Sequence, residues 1–278
     1  MTQVDKAIGI FDSGIGGLTV FKEIRRVLPA EHLIYLGDTV RFPYGTRSPA
    51  TIIQYALENT AFLWNHRVKV LVVACNTASA YSLEVIKERF PLPAIGVVEP
   101  GARAAVAASK GKIGVIGTEG TIQSEAYLKA IQRLNASLRV VSQACPLLVS
   151  LVEEGWVDNE IARKVTEHYL MSLRRSEIDT LVLGCTHYPL LKAIIGEVMG
   201  KDIHLIDSAE AASEELLSLL EKNGLRRTEG SGTSQIYVTD LPQKFERVGR
   251  LFLDGDLPPV SRVDLIEKGR DYAYRRPD

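Results

Sequence analysis

Short apolar runs bounded by Gly, Asp or Asn alternate along this chain with longer stretches whose apolar positions recur every three or four residues. The first pattern predicts buried strands and the second amphipathic helices. Strands are predicted at 7–11, 33–36, 70–73, 94–98, 112–116, 138–141, 180–183, 203–206 and 235–238. Helices are predicted at 17–27, 49–66, 77–89, 101–109, 125–134, 159–173 and 209–222, with a last one at 241–253. Ser48-Pro49 marks one helix start plainly, with Ser as the cap and Pro in the first turn. Regular alternation of strand and helix implies an α/β fold with mainly parallel sheets.

The pattern repeats. I-G-I-F-D-S-G from Ile8 recurs as I-G-V-I-G-T-E-G from Ile113 at an offset of 105, and V-V-A-C-N-T from Val72 recurs as V-L-G-C-T-H from Val182 at 110. A looser pair, G-V-V-E-P from Gly96 and H-L-I-D-S from His204, stands at 108. Three matches in one order at nearly one offset argue for two similar α/β units. The first is expected at 1–98 and the second at 99–208, with Glu99-Pro100-Gly101 as the crossing point. Residues 209–278 have no counterpart in the second half and are expected to return and extend the first domain. Their Gly/Ser/Thr-rich stretch 228–234 reads as a connector.

At 278 residues there is material for one large domain or two ordinary ones. A net charge of -1 offers no electrostatic reason to expect nucleic acid or membrane partners. The arginines near the C-terminus (Arg270, Arg275, Arg276) read as a solvated tail. No run reaches the ~18 apolar residues of a membrane span, and the first ten residues lack the regions of a signal peptide. Cytoplasmic residence is expected, and with it three reduced cysteines without a C-x-x-C pair.

Ligands of parallel sheets bind beyond the carboxyl ends of the strands, and the unusual polar clusters fall there: Asp12-Ser13, Tyr44-Gly45, Cys75-Asn76-Thr77, Thr118 with Thr121, and Cys185-Thr186-His187. Helix N-termini at these ends suit a carboxylate or phosphate. D-S-G-I-G-G at 12–17 lacks both the dinucleotide spacing and the P-loop lysine, so it reads as a tight turn in which Asp12 handles protons. Cys145 reads as a buried small hydrophobe. Cys75 and Cys185 differ, because each closes a strand and precedes polar residues expected to open a helix, a setting that lowers a thiol from about 8.5 toward neutrality. They are candidate acid/base groups, with His187 beside Cys185 and Asp12 serving Cys75 in the corresponding way. A thiol hydrolase would use a Cys–His pair too, but leaves the second cysteine and the repeat unexplained. Glu153 and Glu154 form either a solvated helix end or a carboxylate supporting His187, and P-Y-G at 43–45, between Arg41 and Arg47, is a rigid turn at a strand end. No motif implies a cofactor or a metal.

The ordered motifs F-D-S-G-I-G-G-L, G-D-T-V-R-F-P-Y-G-T-R-S, V-A-C-N-T-A-S-A, G-V-V-E-P-G, I-G-T-E-G-T-I-Q-S-E-A-Y, L-V-E-E-G, L-G-C-T-H-Y-P-L-L and Y-V-T-D, over about residues 7–240, resemble glutamate racemase of the aspartate/glutamate racemase superfamily. The resemblance implies two pseudo-symmetric α/β domains enclosing glutamate, no cofactor, and Cys75 and Cys185 as opposed acid/base residues that exchange protonation states. Asp12 and His187 would assist them and Glu153 would support His187. The substrate would be held by Asp12, Ser13, Tyr44, Gly45, Asn76, Thr77, Thr118, Thr121, Thr186 and His187. It further implies D-glutamate supply for peptidoglycan and a homodimer. The short approach to the first strand leads us to expect no activation by a cell-wall precursor. Aspartate racemisation is the sister activity, and an anion-sensing binding protein, as proposed for relatives that act on DNA gyrase, is the alternative of another class.

Overall fold

The computed structural model describes residues 2–265, so the arginine tail lies outside it. In chain order the elements are β1 (Ile8–Asp12), α1 (Leu18–Val27), β2 (Leu33–Gly37), α2 (Pro49–Asn65), β3 (Val70–Val73), α3 (Asn76–Arg89), β4 (Ala94–Gly96), α4 (Val98–Ala108), β5 (Lys112–Gly117), α5 (Glu119–Gln123) and α6 (Ala126–Leu134). There follow β6 (Arg139–Ala144), α7 (Leu147–Glu153), α8 (Glu160–Arg175), β7 (Thr180–Gly184), α9 (Lys192–Met199), β8 (His204–Asp207), α10 (Ser208–Lys222), β9 (Ser234–Val238), α11 (Pro242–Phe252) and β10 (Val260–Arg262).

Two sheets form, both parallel in every described pairing, in the orders β10-β9-β2-β1-β3-β4 and β6-β5-β7-β8. The run β2-β1-β3-β4 repeats the order β6-β5-β7-β8, which is the internal repeat of the sequence made visible. Helices cover the sheets, so central strands such as β1 and β7 are buried along their whole length and, apart from Asp12 and Thr180, apolar. One buried apolar cluster runs from Ile8, Ile10 and Phe21 through Leu216 and Leu220 to Leu181 and Leu148. At about 25 cal/mol per Å² of apolar surface, such burial is the main term opposing chain entropy.

Local chemistry sets several boundaries. Ser48 caps α2, its hydroxyl accepting from the Thr51 N–H at 3.3 Å, with Pro49 in the first turn. The segment 97–101 departs from expectation: the strand ends at Gly96, and Glu99-Pro100-Gly101 lies within α4 rather than in a crossing loop. Proline in a first helical turn loses no hydrogen bond, since those N–H groups have no intrahelical partner. Helices α5, α7 and α9 and strand β10 escaped the sequence pattern because they are short. Among the described residues, no helix is long and apolar enough to cross a membrane.

Candidate active site

The carboxyl ends of β1, β3, β5 and β7 converge on one cavity of about 210 Å³. Its lining includes Ser13, Tyr44, Gly45, Cys75, Asn76, Thr77, Thr118, Cys185, Thr186 and His187. Ten of the thirteen residues singled out from the sequence are thus brought to one surface. Asp12, Thr121 and Glu153 stand one layer behind, each hydrogen-bonded to a residue of that lining.

Cys75 is the residue on which α3 is capped, its sulfur accepting from the Ala78 N–H at 3.4 Å and its thiol donating to Ser13 Oγ at 3.6 Å. The helix end does not bring this thiol toward neutrality. Burial, then the charge of Asp12, push it up to about 12 against the weaker pull of those hydrogen bonds. Asp12 is fully buried, and its Oδ2 accepts from the Gly14 N–H at 2.9 Å. Burial holds its carboxyl above the usual carboxylate range, offset by the charge of His187 and the amides of Gly14 and Gly17.

Cys185 closes β7, but a tight 3-10 turn at Tyr188–Leu191 follows it, and α9 starts only at Lys192. Pro189 and the hydroxyl of Tyr188, which donates to the Cys145 carbonyl at 2.9 Å, hold that turn. In place of a helix end, Cys185 has His187, whose Nδ1 lies 3.9 Å from the sulfur. The far nitrogen, Nε2, lies 3.0 Å from Glu153 Oε1, and Glu154 is exposed. Burial disfavours the imidazolium, but Cys185 and Glu153 outweigh it and raise His187 to about 10. Rings of Phe42 and Phe252 flank the imidazole at centroid distances of 6.0 and 5.8 Å.

The turn D-S-G-I-G-G explains its glycines here. A Cβ on Gly16 would stand 2.3 Å from Thr186 Oγ1 and 2.4 Å from His187 Nδ1, so only glycine lets the two sheet ends approach. Thr19 also donates across this seam to the Thr186 carbonyl at 3.0 Å.

On the opposite wall the hydroxyls of Thr77, Thr118 and Thr121 form a triangle with sides of 2.8, 3.0 and 3.0 Å. Asn76 Nδ2 is buried without a partner among the described residues. Tyr44 lines the cavity, but its hydroxyl turns away to Asp38 and accepts from Asn59 Nδ2 at 3.0 Å. Arg41 joins that network through Asp38 and Glu58.

Sequence reasoning missed Phe42, Thr46, Glu119 and the face of α7 carrying Leu147 and Ser150, all of which line the cavity. The signal was faint. The run L-L-V-S-L-V falls in no predicted element, and in the fold Leu147 is 56% exposed at the cavity wall. Cys145 is fully buried, as its apolar setting suggested. Among the described residues no group of three His, Cys, Asp or Glu side chains could hold a metal ion.

Fold and site define a class first. This is an α/β enzyme with two thiols, one from each sheet, on a cavity rich in hydrogen-bond donors, an arrangement fitted to proton chemistry on a small anionic substrate. The profile of the Asp/Glu/Hydantoin racemase family matches residues 8–216. A glutamate racemase of Geobacter metallireducens is 54% identical over 94% of this chain and 97% of its own length. Among solved structures, a glutamate racemase isoform of Bacillus anthracis matches with TM-score 0.91 and 43% identity, covering 94% of this chain and 98% of that one. That of Francisella tularensis in complex with D-glutamate matches with TM-score 0.89 and 40% identity over 94% and 98%. The chain belongs to the Asp/Glu/hydantoin racemase family, among its glutamate racemases.

Proposed function

We propose that the cleft interconverts L- and D-glutamate by a two-thiol, cofactor-free mechanism, with the chain acting as two units, 1–98 plus 209–278 and 99–208. The observation that carries this reading is that Cys75 and Cys185 come from equivalent strands of the two sheets and line the same cavity. For one enantiomer, the Cys75 thiolate takes the α-proton, forming S–H and leaving the electron pair on the α-carbon. The Cys185 thiol then delivers its proton to the opposite face and is left as thiolate. For the other enantiomer the roles reverse.

Each thiol has its own assistant. Cys75, pushed up to about 12 by burial and the charge of Asp12, rests as an acid. A substrate ammonium lowers the cost of its thiolate, and the Asp12 carboxylate beside it takes up the proton. On the other side the His187 imidazolium, braced by Glu153, faces Cys185 and supplies or holds that thiol's proton. Asn76 Nδ2, the threonine hydroxyls and the N-terminus of α3 present donors to the substrate carboxylates, as Ser13, Gly45 and Thr186 do around the reacting carbon. The D-glutamate held by the Francisella relative supports that choice of substrate. By the same likeness the enzyme works in the cytoplasm as a homodimer and supplies D-glutamate for peptidoglycan.

Circular dichroism in D2O, starting from each enantiomer and followed by mass spectrometry, tests the reading. Loss of optical signal from both, with one deuterium gained at the α-carbon, is expected. An unchanged signal and mass would refute it.

A further inference from the structure

Tyr127, on α6, has no role in the chemistry above, yet it joins three of the motifs. Its ring lies buried in a slot walled by bare glycine backbone. A Cβ on Gly101 would stand 3.2 Å from the ring, and one on Gly184, directly before Cys185, 3.1 Å from it. Its hydroxyl donates to Asn76 Oδ1 at 2.7 Å, reaching from the second sheet's helices to the residue after Cys75 on α3.

A primary amide has one acceptor oxygen and one NH2 donor group, and the two swap places when it flips. With Oδ1 held by Tyr127, Nδ2 is the free end, and it is the buried side-chain nitrogen that finds no partner among the described residues while Asn76 lines the cavity. Buried donors are almost always satisfied in working proteins, so an orphan on a cavity wall marks where a ligand completes the bond.

We propose that Tyr127 is a positioning residue, locking the Asn76 amide with its NH2 turned into the cavity to grip a substrate carboxylate. The proposal rests on the reading of this cleft as a glutamate site. Without the phenolic O–H, the amide samples both flips, and one of them sets its carbonyl against the carboxylate. Binding weakens while the thiols keep their places.

Tyr127→Phe keeps the ring in its slot and removes only the hydroxyl. We expect KM for both enantiomers to rise about tenfold, with kcat little changed and the melting temperature close to that of the parent. Asn76→Ala raises KM at least as much, and adding Tyr127→Phe to it raises KM no further, the signature of two residues acting as one. A parent-like KM in Tyr127→Phe while Asn76→Ala raises it, additive effects in the double variant, or a fall in kcat at constant KM would each overturn the positioning role and leave the glutamate site standing. A parent-like KM in Asn76→Ala would instead overturn the assignment of Asn76 as a carboxylate contact, and the positioning role with it.

Discussion

Replacing Glu153 by Gln should flatten the loss of stability that this protein suffers between pH 7 and pH 9. His187 is buried and rises to about 10 in the folded chain, against about 6.5 when unfolded. A group whose folded value is raised contributes its full stabilisation below the unfolded value and loses it as pH climbs through the folded one. In that window the native state keeps a proton that the unfolded chain has lost, so stability falls by up to about 1.4 kcal/mol per pH unit. From pH 7 to 9 the decline assigned to His187 is on the order of 2–3 kcal/mol. Glutamine at position 153 retains an oxygen for Nε2 at the same reach but removes the charge that helps hold the imidazolium. His187 then loses its proton at lower pH, and the dependence between pH 7 and 9 becomes shallower. Urea unfolding followed by circular dichroism at pH 7, 8 and 9 measures this. Comparing the two proteins cancels the contributions of Cys75 and Cys145, each raised to about 12 by burial before any other cause. Parallel pH profiles for parent and variant would refute the claim that Glu153 holds the charge on His187. The same substitution should lower kcat in both directions, because every turnover uses Cys185 as either acid or base.

Other substitutions probe the remaining parts of the argument. Cys75→Ala and Cys185→Ala should each abolish racemisation from both enantiomers with the circular dichroism spectrum unchanged, while each keeps the power to abstract a proton and eliminate a leaving group from one enantiomer of a suitable glutamate analogue. Full activity in either would reject two-thiol catalysis. Gly16→Ala pushes a methyl into Thr186 and His187, so a stability loss of about 1–3 kcal/mol is expected together with a large fall in kcat/KM, measured by melting and by racemisation assays. Lys69→Met should be costly far from the cleft, because the ammonium is buried against Glu31 and also donates to the carbonyls of Val4 and Leu225. Leaving Glu31 unpaired costs about 3–5 kcal/mol, and Lys69→Met with Glu31→Leu should recover part of it in denaturant titrations while KM for glutamate stays at the parent value.

Much of the fold was legible because strands and helices of a parallel α/β protein carry different apolar periods, and because β1, β3, β5 and β7 each end at a visible polar cluster. The two cysteine motifs stood out for the same reason: V-V-A-C-N-T and V-L-G-C-T-H break an apolar run at equivalent points of a repeat. Errors gathered where local pattern and packing disagree. Glu99-Pro100-Gly101 has the composition of a loop but continues a helix, since proline is harmless in a first turn. Helix α7 escaped the pattern, and with it the cavity-lining Leu147 and Ser150, because a seven-residue segment has too few turns to show a period or reveal which side is wet.

By itself, then, the sequence determined the alternation of elements, the duplication, and the identity of twelve strand-end residues worth following, all properties that depend on neighbours in the chain. Only the tertiary structure decided how those residues act on one another. It turned Tyr44's hydroxyl away to Asp38, chose Glu153 over Glu154 as the partner of His187, and tied Asn76 to Tyr127 from the other half of the molecule. It also reversed the expectation for Cys75. A helix end that would lower a thiol in water is outweighed once burial strips the water away and Asp12 is packed alongside. Burial and long-range pairing arise only when segments far apart in sequence are packed together, so no local pattern can encode their balance.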